Sequence, residues 1–319
     1  MTNSLAAPEP AVIPIICGPT ASGKTAIAIK LAESFPIQII SADSRQIIKW
    51  LDIGTAKPTP QERQRVQFHL IDLIEPGERY TAFRFMEDAN RAIARVLNEG
   101  SIPVVVGGSG LYLRALSEGI VEIGDADQSV RQRLQFETQE QGAEAMYARL
   151  MEIDPVAAAG IHPNNKVRVL RALEIYYVTG KSKSELAAAG PFRKSQYNFE
   201  FFCLLPEREV LYRAVEQRVD RMMQSGLVSE VEDLTRRGLA ERIRQSNVIG
   251  YNETLDHLQN KSTLPEAIRL IKQHSRQYAK RQITWFCRQV KGSWFSEPEN
   301  LIGHMEKLLK NWLVHHKKT

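Results

Sequence analysis

The run Gly18-Pro19-Thr20-Ala21-Ser22-Gly23-Lys24-Thr25 constrains this chain more than any other stretch, because it matches G-x-x-x-x-G-K-[ST]. It comes after the apolar segment Ala11 to Cys17 and precedes helical spacing from Thr25 to Ser34, so it reads as strand, turn and helix in succession. In that setting the glycines let the backbone wrap a phosphate chain, and the helix N-terminus points amides at the anion. Lys24 supplies a mobile positive charge. The Thr25 hydroxyl is the expected ligand of a Mg²⁺ ion bridging the phosphates.

Further apolar runs at Ile37 to Ile40, Phe68 to Ile71, Ile102 to Val106 and Phe199 to Leu205 alternate with helical stretches such as Tyr80 to Asn98. This predicts an α/β fold, a P-loop NTPase-like parallel sheet wound on both faces. From Ser129 to Ala189 the pattern is helical throughout, with breaks at Gly142, Asp154-Pro155, His162-Pro163 and Gly180. The expected layout is a mobile tail over residues 1–10, an α/β core with C-terminal helices over 11–125 and 197–319, and a helical insertion domain over 126–196. The three cysteines, Cys17, Cys203 and Cys287, are far apart, which argues against a zinc site or a disulfide framework and fits a reducing cytoplasm. No apolar run approaches the roughly 18 residues that span a bilayer, and no secretory signal is visible at the start.

The chemistry beyond the phosphate loop is less plain. An NTPase should show an apolar strand ending in an acid that holds Mg²⁺, whereas the strand to Val106 runs into Gly107-Gly108-Ser109-Gly110. The strand to Ile40 runs into Ser41-Ala42-Asp43-Ser44-Arg45-Gln46, and in a parallel sheet its carboxyl end opens on the same edge as the phosphate loop. Asp43 there is either a base near the phosphates or a helix N-cap. Arg218, on a helix with Arg213, Arg221, Glu216 and Asp220, reads by itself as an ion-paired surface residue rather than a catalytic one.

Charge supplies a second clue. The net +5 is the difference of 42 basic and 37 acidic residues, and the excess lies after Pro206. Arg269 to Lys291 carries seven basic residues and no acidic one. Arg269, Lys272, Arg276 and Lys280 recur at helical spacing beside Tyr278, Trp285 and Phe286. An uncompensated stripe of this kind favours a polyanion, whose phosphates it positions without reading sequence.

The blocks GPTASGKT, SADSRQ, LDIGTAKPT (Leu51 to Thr59) and GGSGLY (Gly107 to Tyr112) resemble the signature segments of the bacterial tRNA dimethylallyltransferases, or tRNA isopentenyltransferases. The resemblance continues through IHPNN and VRVLRALEIY (Ile161 to Tyr176), VEQRVDRMMQSGLVSEV (Val215 to Val231), IGYNE (Ile249 to Glu253) and YAKRQITWF (Tyr278 to Phe286). It implies transfer of a dimethylallyl group from dimethylallyl diphosphate to N6 of adenosine 37 in the anticodon stem-loop of tRNAs reading codons that begin with U. The phosphate loop then holds a diphosphate leaving group, which accounts for the missing NTPase acid. By the same resemblance Asp43 is the base, Thr20 lies near the bridging oxygen, and Lys24, Thr25 with Mg²⁺ and Arg218 stabilise the departing charge. Asp43, Ser44, Arg45, Gln46, Ser109, Arg131, Val167, Arg168, Val169, Leu170, Arg171, Lys280 and Arg281, with the segment Asn247 to Asn252, match tRNA-contacting positions. The family acts as a monomer. Three departures stand out: Ile47 replaces a usual Tyr, Phe68 replaces a usual His, and Ser246 to Asn252 lacks the usual basic residues.

Three rival classes remain open from the residues themselves. They are a P-loop nucleotide kinase, an adenylate isopentenyltransferase acting on free nucleotide, and a non-catalytic RNA-binding protein. A small acceptor needs neither the helical insertion nor the basic C-terminal helix.

Overall fold

The structure, a computed structural model, describes residues 12–120, 128–190 and 196–316; the tail expected over residues 1–10 lies outside them. The chain divides into two compact units, Met1–Ser117 with Ser195–Thr319, and Glu118–Lys194. The first unit opens with β1 (Val12–Cys17), α1 (Lys24–Ala32), β2 (Ile37–Ala42), α2 (Pro60–Arg65), β3 (Phe68–His69), α3 (Ala82–Asn98), β4 (Ile102–Gly107) and α4 (Gly110–Glu118). The second holds α5 (Gln128–Ile153), α6 (Pro155–Ala159), α7 (Lys166–Thr179) and α8 (Lys183–Ala188). The first resumes with β5 (Asn198–Leu204), α9 (Arg208–Gln224), α10 (Leu227–Arg236), α11 (Ala240–Ser246) and α12 (Tyr251–Leu258), and closes with α13 (Leu264–Gln289), β6 (Ser293–Phe295) and α14 (Pro298–His316).

The strands form one sheet in the order β3-β2-β4-β1-β5-β6, and every pairing is parallel. β1 and β4 are buried along almost their whole length because helices cover both sheet faces, which is why both read as unbroken apolar runs. One face packs on α1 and α14 through Ile27, Leu31, Ile39, Val104, Val106, Phe202, Leu301 and Met305. A separate core under α9 to α13 joins Ile47, Leu51, Val219, Leu227, Val231, Tyr251 and Ile271. β3 stops after two residues because Leu70 and Asp72 turn to φ 62° and 56°, a backbone that cannot continue a strand. β6 is not expected from the sequence. Its three residues have no periodicity to read and are held as strand by pairing with the end of β5.

The second unit is helical in its described residues. Its α5 is broken at Gly142 (φ 85°), and its core gathers Leu134, Met146, Leu150, Ala158, Val169 and Leu173. Asp154 caps α6, accepting the Ala157 N–H at 2.9 Å, and its other oxygen accepts the Ser184 N–H at 2.9 Å. In the first unit, the segments after β1, β2, β4 and β5 all leave the sheet at its carboxyl edge, where ligands bind in open α/β sheets.

Candidate active site

Gly18 to Gly23 form the loop between β1 and α1, and Lys24 and Thr25 open the helix. Gly18 has φ 142°, and a side chain there would meet the Leu204 carbonyl oxygen at 2.3 Å, so only glycine fits. α1 begins after Gly23 with neither a side-chain cap nor an acidic residue in its first turn. Its N-terminal amides therefore remain unneutralised, which suits an anion. The Lys24 ammonium folds back on its own loop, donating to the Pro19 carbonyl at 2.5 Å and the Ser22 Oγ at 3.3 Å. Burial pulls its pKa down to about 8, against an opposing pull from Asp43.

Asp43 stands in the turn after β2. Its Oδ1 accepts the backbone N–H of Arg45 at 2.8 Å and of Gln46 at 3.3 Å. No helix follows Asp43 before α2, so the expected helix N-cap is a cap of a turn instead: the carboxylate organises that turn through one oxygen and also lines the central cavity of the site. Ser109 locks this turn from β4's side, its Oγ accepting the Ser44 N–H at 2.9 Å. Gln46 donates to the Ala56 carbonyl at 3.0 Å, and Arg45 reaches the Ser246 carbonyl at 2.8 Å.

Arg218 leaves the ion-paired surface reading behind. Its Nη2 donates to the Thr55 carbonyl at 3.1 Å, burial lowers its pKa, and the charge of Asp43 opposes that shift. The acids beside it pair elsewhere: Asp220 binds Lys272 at 2.6 Å, and Glu216 binds Arg276. Two of the four cations in the α13 stripe are consequently compensated by α9, a correction to the reading of a stripe without partners. Asp220 and Glu216 lie 52 and 60 residues before Lys272 and Arg276 and become their neighbours only in the fold.

The loop carrying Thr55 is itself fixed. Glu230 accepts the Ile53 N–H at 2.9 Å and the Tyr251 hydroxyl at 2.5 Å, and Tyr251 in turn accepts the Gly54 N–H at 3.2 Å. Buried Lys57 donates to the Ile48 carbonyl at 2.5 Å and pairs with Asp52 and Asp72 at 2.7 and 2.5 Å. The sequence marks these two only through the blocks that hold them, Val215 to Val231 for Glu230 and Ile249 to Glu253 for Tyr251, and neither block shows that the two side chains meet.

These elements enclose one cavity of about 550 Å³, entirely within the first unit. Thr20, Lys24, Thr25, Asp43, Arg45, Gln46 and Arg218 line it, and α13 contributes His274, Tyr278, Arg281 and Gln282. Burial, aided by Asp43, pushes the Tyr278 phenol up to about 12, so it is a neutral hydroxyl at physiological pH. α13 approaches the β4 end closely: a side chain on Gly110 would lie 2.4 Å from the Trp285 ring. Gly110→Ala should therefore cost about 1–3 kcal/mol through overpacking, read as a lower midpoint in thermal unfolding. An unchanged midpoint would show that Trp285 yields freely.

Other expected residues lie outside this cavity. Ser44 and Ser109 support the Asp43 turn without lining it, and Lys280 is on the exposed face of α13. Arg131 (on α5) and Val167 to Arg171 (on α7) belong to the second unit, where Arg131, Val167 and Arg168 are exposed. Val169 is 1% exposed in that unit's core and Leu170 packs against the same core, so side-chain contacts to an outside partner fall to Val167, Arg168 and the half-exposed Arg171, which pairs with Glu174 at 2.9 Å. No helix among the described residues is long and apolar enough to cross a membrane.

A family model described as IPP transferase matches residues 46–289, and one described as isopentenyl transferase matches residues 11–75. The chain is 45% identical over 284 residues to a protein of Geobacter metallireducens named tRNA dimethylallyltransferase, a match covering 89% of this chain and 92% of that one. Among solved structures, the full-length tRNA isopentenylpyrophosphate transferase from Bacillus halodurans aligns with a TM-score of 0.67 at 37% identity, over 96% of this chain and 98% of that one. A eukaryotic dimethylallyltransferase described as acting on tRNA gives 0.73 at 32% identity, over 86% and 69%.

Proposed function

The chain belongs to the IPP transferase family, and from that membership and its cavity we infer that it is a tRNA dimethylallyltransferase. It transfers a dimethylallyl group from dimethylallyl diphosphate to N6 of adenosine 37 in tRNAs reading codons that begin with U, releasing diphosphate. The observation that carries the residue assignment is that one cavity gathers a phosphate loop, a carboxylate and an arginine turned in from α9.

An exocyclic amine conjugated with a purine ring is a weak nucleophile, so its proton must leave as the new C–N bond forms. Asp43 takes that proton. With Oδ1 already accepting two backbone N–H groups, the carboxylate is held in one orientation before the substrate arrives. As N6 bonds to the allylic carbon, the bond from that carbon to the bridging oxygen breaks, and its electron pair departs with the diphosphate. The growing charge meets Lys24, the α1 N-terminus, Thr20 and Arg218, groups that line the pocket before the reaction begins. To reach Asp43 the adenine must leave the anticodon-loop stack. Arg45, Gln46, Tyr278 and Arg281 line the space it would enter.

Mg²⁺ fits the residues present. Among the described residues no three His, Cys, Asp or Glu side chains cluster as a metal cage, and the Thr25 side chain at the start of α1 lines the cavity. A phosphate-loop hydroxyl, substrate phosphate oxygens and retained waters would together supply the all-oxygen shell that Mg²⁺ takes. Bound there, the ion would neutralise diphosphate charge. The enzyme is expected to work as a cytoplasmic monomer on the anticodon stem-loop, and the exposed α7 N-terminus of the second unit and Lys280 are offered as further tRNA contacts.

The direct test incubates the protein with dimethylallyl diphosphate, Mg²⁺ and unmodified tRNA bearing A36-A37-A38, then detects the product by nucleoside mass spectrometry. Absence of prenylated adenosine would overturn the assignment. ATP consumption without RNA would favour the kinase reading instead.

Lys24 makes a further prediction. With its pKa drawn down to about 8, the free site loses its proton as pH rises through 8, whereas a bound diphosphate raises the lysine back towards its ordinary value. The complex therefore holds a proton that the free enzyme has given up, and affinity falls with rising pH. The KM for dimethylallyl diphosphate should rise up to about tenfold per pH unit above 8. In Lys24→Gln the KM should be high and flat over the same range.

A further inference from the structure

We propose that Gln282 is a positioning residue that ties the diphosphate loop and the Asp43 turn to the helix that meets the tRNA. This rests on the functional reading above and adds a residue to it.

Gln282 lies on the buried side of α13, in line with Ala279 and Phe286, and is only 7% exposed. A carboxamide at a core-facing position is costly unless both its ends are satisfied. Here both partners are backbone groups from separate loops. The Thr20 N–H donates to Oε1 at 2.8 Å, and Nε2 donates to the Gly108 carbonyl at 3.0 Å. Because one partner can only donate and the other only accept, the amide has a single workable orientation. Gly108 has no room for a side chain at this contact, where a Cβ would lie 2.6 Å from Nε2.

The two contacts reach further than their own residues. Thr20 is the loop residue that, on the functional reading, lies near the bridging oxygen. After Gly108 come Ser109, which accepts the Ser44 N–H beside Asp43, and Gly110, which sits under Trp285, three residues beyond Gln282 on α13. One side chain thus spans the phosphate loop and the β4 loop that locks the base, and it does so from the helix carrying Tyr278 and Arg281. A shift of α13 on the RNA side would be felt at both reacting ends. The consequence is that Gln282 should act on the rate of transfer more than on the binding of either substrate.

The test compares wild type with Gln282→Met, which keeps length but makes neither bond, and Gln282→Glu, which keeps the acceptor for Thr20 and loses the donor to Gly108. The readouts are kcat and both KM values, tRNA affinity by filter binding, binding of inorganic diphosphate with Mg²⁺, and the unfolding midpoint. Misplacement by about an ångström far from the chemistry can cost on the order of a hundredfold. Gln282→Met should accordingly lose about tenfold to a hundredfold in kcat, with tRNA affinity changed by less than about threefold. Gln282→Glu should be impaired at neutral pH and recover towards wild type as the pH falls and the carboxyl regains a donor proton. A lowered midpoint with kcat unchanged in either folded variant would overturn the proposal and leave Gln282 a packing residue. Should Gln282→Met not fold, the pH-dependent recovery of Gln282→Glu decides, and its absence counts against the proposal. Inactive wild type would instead fail the functional reading itself.

Discussion

Asp43→Asn is expected to lower kcat by about 10²–10⁴-fold, the range associated with loss of a general base, while tRNA binding stays within about twofold. The choice of Asn comes from the geometry. Oδ1 of Asp43 accepts the N–H groups of Arg45 and Gln46, and an asparagine Oδ1 can take both, so the turn and its neighbours Ser44 and Gln46 keep their places. Asp43→Ala would remove those acceptors as well and cost about 1 kcal/mol of turn stability, confounding chemistry with structure. Single-turnover transfer with both substrates saturating isolates the step, and gel-shift affinity for tRNA provides the control. If Asp43→Asn turned over within about threefold of wild type, the carboxylate would be a cap alone and the base would have to be sought elsewhere in the cavity. The same substitution separates the enzyme from a non-catalytic RNA-binding protein, whose function would survive it.

Whether a feature is legible in the sequence depends on whether its determinant is local. The phosphate loop is legible because its glycines, lysine and threonine are consecutive between a strand and a helix, and a sheet buried on both faces writes itself as apolar runs. Asp43 is marked by its position after β2, but its capping role separates from catalysis only once its two hydrogen bonds to Arg45 and Gln46 are placed. The partners of the α13 stripe are invisible because Glu216 and Asp220 lie on another helix. Val169, matched to a contacting segment, points into a core that only the packing of α5 against α7 defines. Gln282 carries a weaker signal: an uncharged polar residue at a core-facing position within a basic run. A polar group there needs partners, but the sequence does not say that they are the backbones of Thr20 and Gly108, each more than 170 residues away.

Arg218→Gln carries the second large effect, an expected loss of about 10²–10³-fold in kcat/KM for dimethylallyl diphosphate, comparable to removing one preorganised donor at a developing oxyanion. As a member of an exposed ion-paired face, Arg218 would contribute no more than about 1 kcal/mol and have no kinetic role. The geometry favours the kinetic role, since Glu216 and Asp220 spend their charge on α13 while Arg218 turns to the Thr55 carbonyl and the cavity. Burial works against its charge and Asp43 works for it, so the free site holds a guanidinium stabilised by one carboxylate and short of a second anion. An arriving diphosphate supplies that anion, and its charge grows as the allylic bond breaks. The interaction is then stronger in the transition state than with bound substrate, and the loss should appear mainly in kcat. Glutamine is too short to keep the Nη2 bond to Thr55, but Glu230, Tyr251 and Lys57 hold the same loop independently, so the loop from Leu51 to Lys57 should persist and the unfolding midpoint change little. A variant that loses only affinity, with kcat intact, would place Arg218 in substrate binding alone and move the burden of charge stabilisation to Lys24 and the α1 N-terminus.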